Sequence, residues 1–507
     1  MRGLDDIYRR FLSILGAGVT TMIIAFLSTP IIVRLLGPGG YGDYAVLLSI
    51  FSLYMIPVSS GITAGVQKFV AEERDVPHWR EHVIRFYAVL AFVTVLVGVV
   101  VLLAFTVLGG AEYFFGGSFT LYFYLLCGFV LISQFYALCN RILLGMSLEL
   151  LSGPLEVAKK FLTVSIGILL VLSGRHVEGM IAGHIVANLV LVCVAAYWIA
   201  KRISPSTLLR SRPESFPYAD VVSFNALNIV LILLVMSLFH VDVVMLRVLS
   251  DSETTGFYKA ALALAEYLWI VPIALKTVLL HSSSTLWSNG HLERITKLSA
   301  RITRYTVLLV VLMAIGIAVL ADRFVPLYYG EEFAVSVVPL LLLLPGAIGF
   351  AAARPLKSIS QGSGRIRTLI GVTGVAATIN LVLNAAFIPL FGMNGAAVAT
   401  SVSYGSMFVL YVWAAWRIGY DPLDDFRGRR IALTAVIAAP IIWAVDRAIE
   451  YDPLAFALVP VVGLLVFGSA ALGTGAVDTA ELGRIAEKLP DRIEATIAPV
   501  LSRIENR

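Results

Sequence analysis

The stretch from His240 to Leu268, HVDVVMLRVLSDSETTGFYKAALALAEYL, decides how this chain is read. It ends one long apolar run on an arginine, turns through a short polar segment, and opens a second apolar run on Gly-x-Tyr. The same order occurs near the N-terminus, in TPIIVRLLGPGGYGDYAVLLSIF from Thr29 to Phe51. Gly42 corresponds to Gly256 and Tyr44 to Tyr258, each pair 214 residues apart, and Arg34 corresponds to Arg247 once a single gap is allowed. Self-similarity at a fixed spacing marks a duplicated architecture, so the chain divides into two related halves.

The duplication continues along the chain. VEGMIAGHIVANL around Gly179 and MNGAAVATSVSYG around Gly395 lie 216 residues apart, and each leads to an aromatic and basic exit, at 198–202 and 413–417. RILLGMS at Gly145 and KSISQGSGR at Gly362 close the fourth and tenth apolar runs in the same manner.

Hydrophobic residues make up 59% of the 507, charged residues only 14%, and mean hydropathy is +0.89. These values lie far outside the soluble globular range and predict an all-α polytopic membrane protein. The formal charge of +5 does not point to nucleic acid, because the basic residues sit at the ends of apolar runs and form no stripe among aromatics. Cys127, Cys139 and Cys193 lie inside apolar runs without the Cys/His spacing of a zinc site, so no metal centre is expected. Arg2, Arg9 and Arg10 precede Phe11 as in a secretory leader, but the apolar run continues to Val33 without a small-residue cleavage site. The first helix is therefore expected to be retained.

A bilayer core about 30 Å thick takes roughly 20 apolar residues of helix. Fourteen runs qualify, at 11–33, 42–66, 84–108, 119–143, 154–173, 178–200, 221–247, 256–286, 303–325, 334–358, 367–390, 394–417, 431–447 and 453–474. Lys and Arg are retained on the cytoplasmic side. With the N-terminus inside, only Arg34, Arg175, Arg247, Arg323 and Arg447 of the 38 Lys and Arg fall outside, while Lys259 and Lys276 lie within the eighth run. That alternation predicts both termini in the cytoplasm. The expected organisation is a six-helix lobe over 1–200, a proline-bearing linker over 201–220, and a second six-helix lobe over 221–418. Two further helices follow over 431–474, and then a cytoplasmic amphipathic tail over 475–507, with apolar positions such as Leu482, Ile485 and Leu489 at helical spacing.

Ionisable groups inside a membrane helix cost about 2.5–3.5 kcal/mol each on insertion scales, so they face a cavity or a partner. The seventh run carries Asn225, Asn228, His240, Asp242 and Arg247; the eighth carries Lys259, Glu266, Lys276 and His281. At about 100° per residue, Asn228 and Asp242 fall roughly 40° apart with Asn225 on the flank, and His240 and Arg247 roughly 20° apart on a second face. A sugar takes neutral and acidic hydrogen-bonding groups, and a phosphate takes cations. This helix pair offers both.

Each of these residues has a structural alternative. Asp242 either contacts a transported ligand or ion, or pairs with Arg247. Arg34 and Arg247 end helices and are expected to snorkel to headgroups rather than bind ligand. Glu266 and Lys276 lie deepest and are read as functional, with a salt bridge as the alternative. His184, His240 and His281 are expected to be hydrogen-bonded packing residues. Arg141, Glu149, Glu156, Lys159 and Lys160 cluster at an inward connection, where an interfacial ion-pair network is expected and phosphate attraction is the alternative. Pro57 and Pro272 fall inside the second helix of their lobes and are expected to kink them. No catalytic residue emerges: the glycine-rich QGSGR at 361–365 lacks the Lys-Ser/Thr ending of a P-loop, and there is no nucleophile elbow or HExxH.

In this order, TPIIVRLLGPGGYGDYAVLLSI, DVVMLRVLSDSETTGFYKAALAL and FGMNGAAVATSVSY resemble the polysaccharide and oligosaccharide-lipid flippases of the multidrug/oligosaccharidyl-lipid/polysaccharide exporter superfamily. The resemblance covers the region from Phe11 to Arg417, and two extra helices are usual in such flippases. It implies two six-helix lobes around a central cavity. It also implies alternating-access movement of a polyprenyl-(pyro)phosphate-linked oligosaccharide from the cytoplasmic to the outer leaflet, for surface polysaccharide or glycan biosynthesis. The implied setting is a prokaryotic plasma membrane, with membrane lipids and glycan-assembly enzymes as partners. No cofactor is implied beyond a coupling ion or the membrane potential. Asp242 matches the acidic position usual in the family after the seventh helix. Two rivals are a multidrug antiporter of the same superfamily and a membrane glycosyltransferase or polymerase acting on lipid-linked sugars. The first usually needs an acidic residue in its first helix, and Phe11 to Val33 has none; the second usually carries a large outward loop, and the outward loops here are short.

Overall fold

The computed structural model describes residues 2–74, 77–203 and 226–478. The described residues form fourteen α-helices: α1 (Arg2–Ala71), α2 (Trp79–Val107), α3 (Gly110–Phe115), α4 (Ser118–Gly145), α5 (Glu149–Leu172), α6 (His176–Ala200), α7 (Ala226–Leu249), α8 (Ser252–Glu266), α9 (Ile270–Ser288), α10 (Leu292–Tyr329), α11 (Val337–Gly362), α12 (Ile366–Ile418), α13 (Gly428–Arg447) and α14 (Asp452–Gly473). Large apolar side chains point outward from them. On α2, Val93, Leu96, Val97, Val100 and Val101 are each about half exposed, the surface a helix presents to lipid.

Ten of the described helices are long and apolar enough to cross a membrane, and two of these have the length for two crossings. Gly16–Ala71, within α1, runs 56 residues, roughly 84 Å if it were straight. It turns at Gly37, whose φ of 66° and ψ of 177° suit only glycine, and Pro38 follows with no N–H to continue the helical ladder. Gly392 bends α12 with a similar positive φ of 54°. The two expected spans outside these ten have visible physical reasons. α5 carries Glu156, Lys159 and Lys160 within its apolar run. The stretch over 252–288 is broken by a 3-10 turn at Tyr267–Trp269. Pro272 accounts for that break, because it has no N–H for the Leu268 carbonyl and its ring clashes with that carbonyl in α geometry.

Contacts divide the chain into two compact units. The first is Met1–Ala260 with Tyr328–Val335 and Thr373–Ala399; the second is Ala261–Leu327 with Ser336–Val372 and Thr400–Arg507. α7 belongs to the first because it packs along α1, so these units cut the chain at a different place from the sequence halves over 1–200 and 221–418. Part of the first unit's core is built from Ile62, Val66, Phe69, Trp79, Tyr87 and Leu138, and Trp79 Nε1 donates to the Phe69 carbonyl at 2.9 Å. In the second unit the α13–α14 hairpin packs on α10 through Val307, Ile431, Ile442 and Phe467. Arg323 fastens it there, with Nε 3.1 Å from Asp446 Oδ1 and Nη1 2.5 Å from Asp452 Oδ1. The tail from 479 onward and the linker from 204 to 225 lie outside the described residues.

Candidate functional site

The turn at Gly37 lets both limbs of α1 line one cavity of about 990 Å³ within the first unit. The first limb brings Thr21, Ser28 and Thr29, and the second brings Tyr44, Ser49, Ser52, Ser59 and Thr63. On the second limb Ser49, Ser52, Ser59 and Thr63 follow one another at intervals of three, seven and four residues, which places them on one helical face. α4, α5, α6, α7 and α8 supply the other walls.

Among the described residues the lining carries four basic side chains, Arg141, Lys159, Lys160 and Lys259, against one carboxylate, Glu156. That carboxylate is engaged within the wall: Lys159 Nζ lies 2.7 Å from its Oε2, and Tyr136 Oη and Asn140 Nδ2 donate to Oε1 at 3.0 and 2.8 Å. Ser152 Oγ in turn donates to Asn140 Oδ1 at 2.6 Å, fixing the amide's orientation. Arg141 Nη1 donates to Gln67 Oε1 at 3.0 Å. Elsewhere in the lining, Tyr44 Oη is 2.8 Å from His184 Nε2, and His240 Nδ1 is 3.2 Å from Ser49 Oγ. Phe129 stacks on Phe51 with ring centroids 3.8 Å apart. Surplus positive charge, hydroxyls, amides and aromatic faces together suit a polar anionic ligand.

Of the residues singled out in the sequence, His240 and Arg141 line the cavity, as does Lys259. The expected ion pair near Arg141 is present between Lys159 and Glu156, but Lys159 and Lys160 line the cavity rather than an interfacial loop. Asp242 is fully buried; it accepts the Tyr258 hydroxyl at 2.5 Å and the Val243 N–H at 2.8 Å, and it is not among the lining residues. Arg247 meets a different carboxylate, with Nε 3.3 Å from Asp43 Oδ1. Ser252 Oγ donates to the same oxygen at 2.6 Å, and Arg247 also donates to the Phe115 carbonyl. Nothing in the sequence singled out Asp43 except its place directly after Gly42 in the repeated motif. Arg34 is exposed on α1. Glu266, in the second unit, is half-buried and within electrostatic reach of Arg354. The Arg354 guanidinium lies 4.9 Å from the ring centroids of both Trp269 and Phe350. Asn225 lies outside the described residues, as do the side chains of Asn228, Lys276 and His281.

The Asp43–Arg247 contact is testable by itself. Both side chains are largely buried, so Asp43→Ala and Arg247→Ala are each expected to lower thermal stability in detergent. The double variant should be less destabilised than the sum of the two, by a coupling of roughly 0.5–3 kcal/mol. Strict additivity would show that the pair does not interact.

Two family models match the chain: polysaccharide biosynthesis protein over residues 7–279, and lipid II flippase MurJ over residues 255–461. Among its relatives, the probable low-salt glycan biosynthesis flippase Agl15 of Haloferax volcanii is 23% identical over 408 residues, covering 79% of this chain and 80% of its own length. The probable flippase AglR of the same organism is 23% identical over 403 residues, covering 78% and 81%. Among solved structures, an inward closed conformation of the lipid II flippase MurJ matches with a TM-score of 0.70 at 15% identity, over 89% of this chain and 98% of that one. An inward-facing multidrug resistance MATE family transporter matches with a TM-score of 0.65 at 15% identity, over 78% and 94%.

Proposed function

Because the chain belongs to the polysaccharide biosynthesis protein family, we propose that it is a flippase for a polyprenyl-(pyro)phosphate-linked oligosaccharide. The substrate moves from the cytoplasmic to the outer leaflet of a prokaryotic plasma membrane, for surface polysaccharide or glycan biosynthesis. The observation that carries this reading is the cavity. Its volume of about 990 Å³ lies at the upper end of ligand-pocket sizes, its cations suit phosphate, and its hydroxyls, amides and rings suit sugar. The headgroup crosses within it by alternating access while the hydrocarbon tail stays outside the cavity, in apolar surroundings. The two Haloferax volcanii relatives named as flippases support the class. The likeness to a multidrug transporter is one of fold alone, and a lining richer in cations than carboxylates disfavours the cationic ligands of an antiporter.

The Lys/Arg distribution supports cytoplasmic termini. Glycan-assembly enzymes supply the substrate on one side and consume it on the other, and a coupling ion or the membrane potential drives the cycle. The test is the leaflet distribution of lipid-linked saccharide in cells lacking the gene, read with a glycan probe that cannot cross the membrane. Accumulation facing the cytoplasm with loss of surface glycan is expected. Unchanged pools on both leaflets would sink the flippase reading in favour of the antiporter.

A further inference from the structure

We infer that the substrate's hydrocarbon chain docks in an apolar slot formed by the two helices that also wall the cavity, an inference that rests on reading that cavity as the headgroup site. The slot, about 340 Å³, lies between α1 and α7 within the first unit. Its lining side chains are apolar except for the Tyr54 hydroxyl, which is engaged elsewhere, donating to the Gly98 carbonyl at 2.6 Å.

The two sites divide the same helices by face. On α1 the slot takes Leu53 and Pro57, while the cavity takes Ser52 and Ser59; on α7 the slot takes Ile229 and Leu233, while the cavity takes Met236 and His240. Ile56 lines both, so a single side chain separates polar from apolar space. Ile56 is therefore where a prenyl chain leaving a headgroup in the cavity would enter the slot. Pro57, inside α1 and in the slot's wall, leaves the Leu53 carbonyl without its helical donor. On α1 the slot runs from Ile50 to Pro57, roughly 10 Å of helix, and on α7 it takes Ile229, Leu233 and Val244, so it holds the segment of chain beside the headgroup. Lipid tails are as apolar as leucine, so what selects this tail over bulk lipid is packing in a shaped slot beside an anchored headgroup.

The test uses the purified full chain in phosphatidylcholine vesicles and two photoreactive probes, geranylgeranyl phosphate with a diazirine on its second isoprene and phosphatidylcholine with a diazirine on an acyl chain. The prenyl probe should label the segments bearing Leu53 and Leu233, lose that label to excess unlabelled geranylgeranyl phosphate, and protect Lys160 from reductive methylation. Leu233 is 43% exposed, so Leu233→Trp fills the slot without crowding the core. It should cut slot labelling about tenfold by displacing the tail, with Lys160 protection retained at saturating probe, and Ile229→Phe should act alike. Lys160 protection with labelling elsewhere on the protein would overturn the slot and leave the cavity reading standing. Equal, undisplaced labelling by the phosphatidylcholine probe would overturn it as a site for ordinary bilayer lipid. Absence of both labelling and Lys160 protection would overturn the slot and the headgroup site together.

Discussion

Lys160→Glu is expected to abolish transport of lipid-linked saccharide in a protein that still folds, and Lys160→Arg to keep most of it. The cavity's one carboxylate, Glu156, is engaged by Lys159, Tyr136 and Asn140, which leaves the lining cationic where Lys160 contributes. At an effective dielectric near 20, a contact between unit charges at 4 Å is worth about 4 kcal/mol, and reversing the charge replaces attraction by repulsion of similar size. Removing the attraction alone corresponds to roughly a thousandfold in any step that needs the contact. The neighbouring lysine separates electrostatics from architecture. Lys159→Gln removes a cation and also leaves Glu156 unneutralised against the cavity. The double variant Lys159→Gln, Glu156→Gln should therefore transport better than Lys159→Gln alone, although it removes one more native group. Initial rates of flipping in proteoliposomes, normalised to folded protein by size-exclusion chromatography, decide the matter. Near-normal flipping by Lys160→Glu would remove the cavity's charge from the mechanism.

The same residues show what a sequence of this kind reveals and where it misleads. Span count, duplication and helix-end charges are legible because a bilayer demands long apolar runs and leaves basic residues at their cytoplasmic ends. That second rule also hides the site. Any Lys or Arg near the end of a run is assigned to an interface, so Lys159 and Lys160 read as loop residues beside Arg141. Both already fall inside the expected span over 154–173, and α5, which begins at Glu149, carries them on its body, where they line the cavity. Arg354, inside the expected span over 334–358, likewise stacks on Trp269 and Phe350 within the second unit. Helical phase does not decide pairing. His240 and Arg247 share a face of α7, but seven residues of rise, roughly 10 Å, separate the cavity wall at His240 from the helix end where Arg247 finds Asp43. Sequence distance offered no route to that partner, which lies 204 positions away.

Gly42→Ala and Gly256→Ala are each expected to cost most of the folded protein, and the pair together should cost little more than either. The two glycines that correspond in the repeat also meet in the fold. A Cβ placed on Gly42 would lie 1.9 Å from the Ser252 carbonyl oxygen and 2.8 Å from the Gly256 nitrogen; one on Gly256 would lie 2.0 Å from the Pro38 carbonyl oxygen. These are backbone atoms at helix ends, so no flexible side chain can give way, and the helices must separate. Small residues permit such close approach between membrane helices, and overpacking of this kind costs about 1–3 kcal/mol before any hydrogen bond is lost. Here one is at stake, because Ser252 Oγ sits 2.6 Å from Asp43 Oδ1 directly beside the contact. Once one alanine has pushed the helices apart, the second meets space already opened, so the two effects should be strongly less than additive. Thermal melting of the single and double variants in detergent, with chromatographic recovery as a second reading, tests this directly. Wild-type melting of Gly42→Ala would mean that the two motifs do not touch, while full additivity would mean that each glycine serves a separate contact. Each copy of the duplicated Gly-x-Tyr motif thus needs the other's missing side chain.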